Sequence, residues 1–466
     1  MRNFGWLLGV WLAVMATASA EDGTAAGAPA SGVPAVRNVM AYGVTLDGTR
    51  DCTAAFQQAL NEVAALGGGT VEVPTGRYRF DGSLEIPSNV TLRGTFAYSP
   101  AHAGIRDVGQ KEPPVFGSVL EPYGGAGSEE GAPFLLLRDN ATVQGFTVHY
   151  PAQDPAAEKP TPYPWTVMMR GNNCALLDMQ LLNPFNAIDA RENQRVLIRN
   201  IHGQPIHIGI IVDKVYDIGR IENVHWNPWW SFRTPVYQWQ MENGTAFIFG
   251  RTDWHYVLNT FCYGYHVGYH FTETKDGACN GNFLGIGADD CNTAVLIDQT
   301  APMGLLITNG EFTSFNGDDP VMIRVSRHHS GTVRFVNCAF WGPCRRIADV
   351  DGTGTVGFGD CTFQEWSLAP KGSPDADREF PAIRALGGSL MVRGCEFMQK
   401  RPQLEIGPNA MRVLFSENFV LGNLNVQNRN KDGKVLIKDN LETPLGRRWE
   451  SRYKTMPGLR GSRLRK

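Results

Sequence analysis

Along most of this chain, apolar and polar residues alternate over four or five positions, break at Gly, Asn or Asp, and then resume. That is the pattern of many short, half-buried strands. One early stretch departs from it. In TRDCTAAFQQALNEVAALGGG, Phe56, Leu60 and Val63 recur at helical spacing, Thr53 reads as an N-cap, and Gly67, Gly68 and Gly69 end the helix. A strand, TVEV, and a Pro-Thr-Gly turn follow.

The second half of the chain repeats itself. Phe occupies one place in a strand pattern at Phe261, Phe283, Phe312, Phe340, Phe363, Phe397 and Phe419, at intervals of 22, 29, 28, 23, 34 and 22 residues. The local text is alike: LITNGEF, VRFVNCAF, VGFGDCTF, LMVRGCEF, VLFSENF. Weaker units lie upstream in VQGFTV, ALLDMQLLNPFNAID, VLIRNIHGQPIHIGIIV and GRIENVHW. These units are too short to hold a crossover helix, yet their strands run the same way. Parallel coils stacked on one another resolve this, each pairing with the coil above and below. At about 4.8 Å per step the seven rings are expected to pile into one column. A propeller would need blades of roughly 40 residues or more, longer than these intervals. The pattern therefore predicts an all-β, single-stranded parallel β-helix.

The nine cysteines fit that picture. Cys338, Cys361 and Cys395 each precede a repeating Phe by two residues, so they are expected to form an inward row of buried thiols. If any disulfide forms, Cys279 and Cys291 are the pair that a short loop could close.

Composition narrows the class. Charged residues are 19% and apolar ones 42%, which excludes a disordered polyelectrolyte. The net charge of −3 gives no sign of a nucleic-acid partner. Residues 1–20 read as a secretory signal: Arg2, the apolar run FGWLLGVWLAVM, and small residues ending at Ala20. The run is too short for a membrane span of about 20 residues, so a secreted or periplasmic location is expected, with no integral membrane segment. Residues 21–35 read as a linker and 36–445 as the β-helix domain. Residues 446–466 read as a basic tail with eight Arg or Lys against Glu450. The tail suits an anionic glycan or membrane surface, or a solvated terminus.

The text YGVTLDGTRDCTAAFQQAL, GGGTVEVPTGRYRF and LEIPSNVTLRGT resembles the opening of the pectate-lyase-like superfamily of right-handed parallel β-helices. The resemblance is close over residues 37–95 and persists beyond them as a coil pattern. It implies a right-handed solenoid whose N-terminal end, within residues 36–95, is plugged by the amphipathic helix. An open end would expose strand edges, which gives that plug a physical reason. Asp47 and Asp51 are expected to cap the helix start rather than to act chemically. Hydrolases, lyases, epimerases and tailspikes share the opening, so chemistry has to be argued from a site.

Two features point to a glycan partner. Between Trp226 and Phe271 there are fifteen aromatic residues in 46 positions. Phe247, Phe249, Phe261 and Phe271 are expected in the core. The loop VHWNPWWSF, with Trp229 and Trp230, reads either as a sugar platform or as a packed lid or subunit contact. Trp254 joins the platform reading. The second feature is paired carboxylates. Glycosidic cleavage needs two about 5 to 10 Å apart, a separation of one or two coils. Asp289 and Asp290 (GADDCNTAVLID) and Asp318 and Asp319 (NGDDPVMIRV) fall on successive coils. They resemble the paired-Asp motif of the polygalacturonase family, with Asp253 as the further Asp that the family takes from a preceding coil. That family's Gly-His-Gly and Arg-Ile-Lys signatures are absent at matching distances. Such pairs also serve as turn caps.

A 26-residue frame through Tyr269, Val295, Val321 and Ile347 offers a second constellation. It places Asp318 as acid or base near Asp298, with His266, His270 and Arg324 as substrate contacts. Hydrolysis of a polysaccharide by paired Asp residues is the leading expectation. Alternatives are β-elimination on a uronate polymer and a noncatalytic glycan-binding or adhesive solenoid. Calcium held by carboxylates is the one cofactor that elimination would use.

Overall fold

The computed structural model describes residues 35–97, 117–230, 233–368, 374–375 and 378–443. The expected signal segment, most of the linker and the basic tail lie outside these residues. Among the described residues no helix is long and apolar enough to cross a membrane.

Each coil gives one strand to each of three faces. In one coil these are Gly281–Leu284 on face I, Gly287–Asp289 on face II and Thr293–Ile297 on face III. The next coil supplies Leu305–Thr308, Glu311–Phe312 and Val321–Val325, and all three pairs are parallel. Faces I and II are the two halves of one 26-stranded sheet, and face III is a 13-stranded sheet. The chain is thus a right-handed parallel β-helix. A small antiparallel hairpin, Glu273–Thr274 with Gly277–Ala278, projects between faces III and I.

The bend between faces I and II is made by one residue per coil in the left-handed region. Asp178, Asn200, Asn223, Asn259, Asn309, Asn337 and Asp360 occupy it with φ between 51° and 57°. Asn and Asp tolerate that conformation because their short side chains bond locally. Here they also bond vertically: Asn200 donates to Asp178 at 2.9 Å, Asn223 to Asn200 at 3.2 Å and Asn337 to Asn309 at 2.8 Å. The residue after the bend turns inward. That place holds Cys338, Cys361 and Cys395, whose thiols meet the backbone carbonyls of Val336, Gly359 and Arg393.

The bend resets the inward–outward phase, which revises the single Phe column. Phe312, Phe340, Phe363 and Phe397 stack in register on face II, with successive centroids 5.5, 5.3 and 4.7 Å apart. Phe283 lies on face I, in a separate column with Ile307, Phe335 and Phe358. Phe261 and Phe419 point outward, because Cys262 and Val420 take the inward places beside them.

The 26-residue frame is also corrected. Tyr269 pairs with Val295, but Val295 pairs with Ile323 and Val321 with Arg346. Additional residues enter at the Gly317–Pro320 turn and shift everything downstream. All nine cysteines are buried and free, so Cys279 and Cys291 are not a disulfide. Cys279 accepts the Thr252 hydroxyl at 3.0 Å instead.

Helix α1, Thr53–Ala65, has Cys52 rather than Thr53 at its N-cap position, and Asp51 Oδ1 accepts both the N–H and the hydroxyl of Thr53. Its buried face carries Phe56, Ala59, Leu60 and Val63. Phe56 meets Tyr78 and Phe80 edge-on, at 5.3 and 5.0 Å. A second helix, α2, Pro235–Asn243, is inserted between faces II and III and is capped by the Thr234 hydroxyl.

Two expectations test this packing. Phe340→Ala removes a ring held between Phe312 and Phe363, and should cost about 3–5 kcal/mol in urea unfolding. The intact mass without reductant should equal the reduced mass, with no thiol reacting with an aromatic disulfide reagent until the protein is unfolded.

Candidate active site

Alternation on face II decides which side chains look outward. With Cys262, Ala288 and Phe312 inward, their neighbours Phe261, Gly287 and Glu311 form one outward row that continues from His225. Two residues further along, Tyr263 and Asp289 stand side by side in a second row. These rows floor a cleft of about 260 Å³, with Asp289, Glu311, Thr313, His225 and Trp341 on its walls. Asp289 and Glu311 are one strand apart across the sheet and two residues apart along it, which sets their backbones roughly 8 Å apart.

Asp290 follows at the corner, in the left-handed conformation. Burial, then the charge of Asp289, push its carboxyl up to about 7, against a hydrogen bond from Tyr263. The Thr313 hydroxyl donates to Asp289 Oδ1 at 2.6 Å and accepts the Asp290 N–H at 3.1 Å. One side chain of the next coil thereby fixes both residues. The pair is coupled and keeps a proton at pH values where an ordinary carboxylate has lost its own.

Asp318 and Asp319 belong elsewhere. Asp319 is gripped by Arg324, Arg345 and Arg346 at 3.1, 3.3 and 3.0 Å. Burial alone would raise its carboxyl, but Arg346, Arg324 and Arg345 together hold it below the usual range. Arg346 continues to Asp349, which also binds Arg384. This is an ion-pair network beside face III, not an acid–base pair. Asp318 is exposed on the turn, and its carbonyl accepts from Arg345. Asp253 precedes the face I strand His255–Leu258, at the far end of the coil from Asp289, and accepts from Asn280 at 3.3 Å. It does not join the cleft.

The substrate contacts expected from sequence also separate. Trp229 and Trp230 are buried against Leu182, Ile206 and Val236. Their backbone N–H groups donate to Gln204, and the Trp229 indole donates to Asn183. Trp229 and Trp230 are thus packed inside and do not form the sugar platform. Trp254 is exposed at 60%, but sits beside Asp253, away from the cleft. Arg324 is committed to Asp319 and Thr293. His266 is exposed at the corner leading to face III, and His270 pairs with Asp298 at 2.7 Å on the outside of that face.

Glu311 is the residue that sequence reasoning passed over. The signal was present in LITNGEF: once Phe312 points inward, Glu311 must point outward, one coil beyond Asp289. Among the described residues no group of three or more His, Cys, Asp and Glu is gathered as a cation requires.

Comparison with known proteins adds a family. Residues 36–213 match the model of "Rhamnogalacturonase A/epimerase, pectate lyase-like". A stretch of 132 residues, 26% of this chain, is 39% identical to mannuronan C5-epimerase AlgE3 of Azotobacter vinelandii and covers 7% of it. The same organism's AlgE5 is 37% identical over 132 residues, covering 26% of this chain and 13% of that protein. The chain thus spans only a small part of these relatives' length. Among solved structures, the pre-mature gene product 12 of bacteriophage phi29 superposes with a TM-score of 0.56 at 13% identity, over 87% of this chain and 56% of that one. The opening motif and the match over residues 36–213 thus agree in likening this part of the chain to pectate-lyase-like proteins, and the stacked coils continue the same fold beyond it.

Proposed function

We propose that this chain hydrolyses a glycosidic bond in a polysaccharide lying along face II. The observation that carries the reading is the cleft itself. It sets the backbones of Asp289 and Glu311 roughly 8 Å apart on adjacent strands, which lets their side chains flank a sugar and a water between them. The Asp289–Asp290 pair supplies the proton to the leaving oxygen, because Asp290 is held near 7. Glu311, exposed one coil further along the same face, would activate the water. Thr313 keeps the acidic pair in place. Trp341 and Phe261 offer half-buried rings to the apolar faces of the sugars.

A second reading has its own support. The matched relatives are named mannuronan C5-epimerases, and the early coils of face II carry Glu121, His149 and His202 outward. Burial and the neighbouring His225 push His202 down to about 4, so it is a neutral base at neutral pH. Proton removal beside a uronate carboxyl, leading to elimination or inversion, would use such a group. Reducing-end release, ultraviolet absorbance and the C5 proton signals of the product separate the three reactions.

Asp290→Asn and Glu311→Gln should each lower kcat by about 10²–10⁴ with unchanged circular dichroism. The wild-type kcat/KM should fall as pH rises through about 7, the limb belonging to Asp290, and Asp290→Asn should abolish that limb.

The same group has a stability consequence. Its folded-state value lies above the ordinary 3.8, so the folded protein binds the extra proton and loses stability as pH rises from about 4 to about 7. Asp290→Asn should therefore match wild type in urea unfolding at pH 4. At pH 8 it should exceed wild type by on the order of 2 kcal/mol, a figure reduced from the full shift because the carboxyl is part-exposed.

A further inference from the structure

The hydrolase reading leaves the charge of the substrate open, and the cleft's lining speaks to it. We infer that the polymer cleaved here is uncharged, a neutral hexose or pentose glycan rather than a polyuronate. The inference rests on the hydrolase reading and goes beyond it to the substrate class.

The first observation is the charge of the walls. Asp289 and Glu311 line the cleft, and none of its lining residues is Lys or Arg. A polyuronate brings one negative charge with every sugar. Set between two carboxylates in a partly dehydrated cleft, each such charge is repelled unless a cation answers it. Three of the nearby guanidinium groups are committed to another partner. Arg324, Arg345 and Arg346 hold Asp319 beside face III. Arg334 folds toward the following coil, where its Nη1 would lie 2.8 Å from a Cβ placed on Gly357.

The second observation is what the cleft offers instead. Asn259 and Asn309 line it from the bend between faces I and II, and their amides suit hydroxyl groups, which both donate and accept. Phe261 and Trp341 stand three coils apart, about 14 Å along the solenoid axis. That length fits an oligosaccharide segment lying along the stack, with rings at both ends for its apolar faces. This is a surface for hydroxyl-rich, uncharged sugar.

The test uses the full chain, with Asp289→Asn and Glu311→Gln as paired controls whose circular dichroism and urea midpoints are recorded first. Reducing-end release is measured on a neutral panel (β-glucan, mannan, galactan and xylan) and on polygalacturonate and polymannuronate. The expected result is release from at least one neutral polymer, lost in both variants, with kcat/KM at least tenfold above that on either polyuronate. Release from a polyuronate at equal or greater efficiency, lost in both variants, would overturn the inference while leaving the hydrolase reading intact. Absence of any release sensitive to Asp289 and Glu311 across both panels would overturn the hydrolase reading, and the substrate inference with it.

Discussion

Backbone pairing between consecutive coils is the constraint from which this molecule is built. Among the described residues, successive strands of each face are bonded to one another, coil to coil, in parallel register. Chain length can then vary only at the corners, where no pairing is required. The structure uses that freedom unevenly: α2 and the buried Trp loop enter at one corner, and a small hairpin enters at another. Face II stays regular throughout. Side chains on a regular wall are spaced by backbone geometry rather than by loop conformation, which makes it a precise support for opposed carboxylates.

The same constraint explains how much of the fold was legible. Repetition of strand, bend and Phe disclosed stacked coils directly, because identical rings one step apart are what parallel register produces. The phase of each ring was less accessible. A left-handed residue interrupts the two-residue alternation, so Phe261 and Phe283, alike in local text to the true column, fall outside it. Asn309, Asn337 and Asp360 mark the bend in the sequence and carry the information needed to assign the phase. A constant frame of 26 residues failed at the Gly317–Pro320 turn for a related reason: corners change length without disturbing the strands on either side.

At the site, residue type was readable and partnership was not. Asp289 and Asp290 stand out as a pair, as do Asp318 and Asp319, and nothing in one dimension distinguishes them. Three guanidinium groups, brought together from the adjoining strand and the next coil, make Asp319 a structural anion. Burial beside another carboxylate instead raises the carboxyl of Asp290. Trp229 and Trp230 show the same limit, since Gln204 and Asn183, which draw their polar groups into the interior, come from preceding coils.

The sealed thiols at the bends carry a practical meaning. Their place in the wall is that of a small apolar wedge, and no covalent crosslink holds the coils together. A reducing agent therefore has no crosslink here to remove, and the stacking of the coils rests on backbone pairing and packing alone.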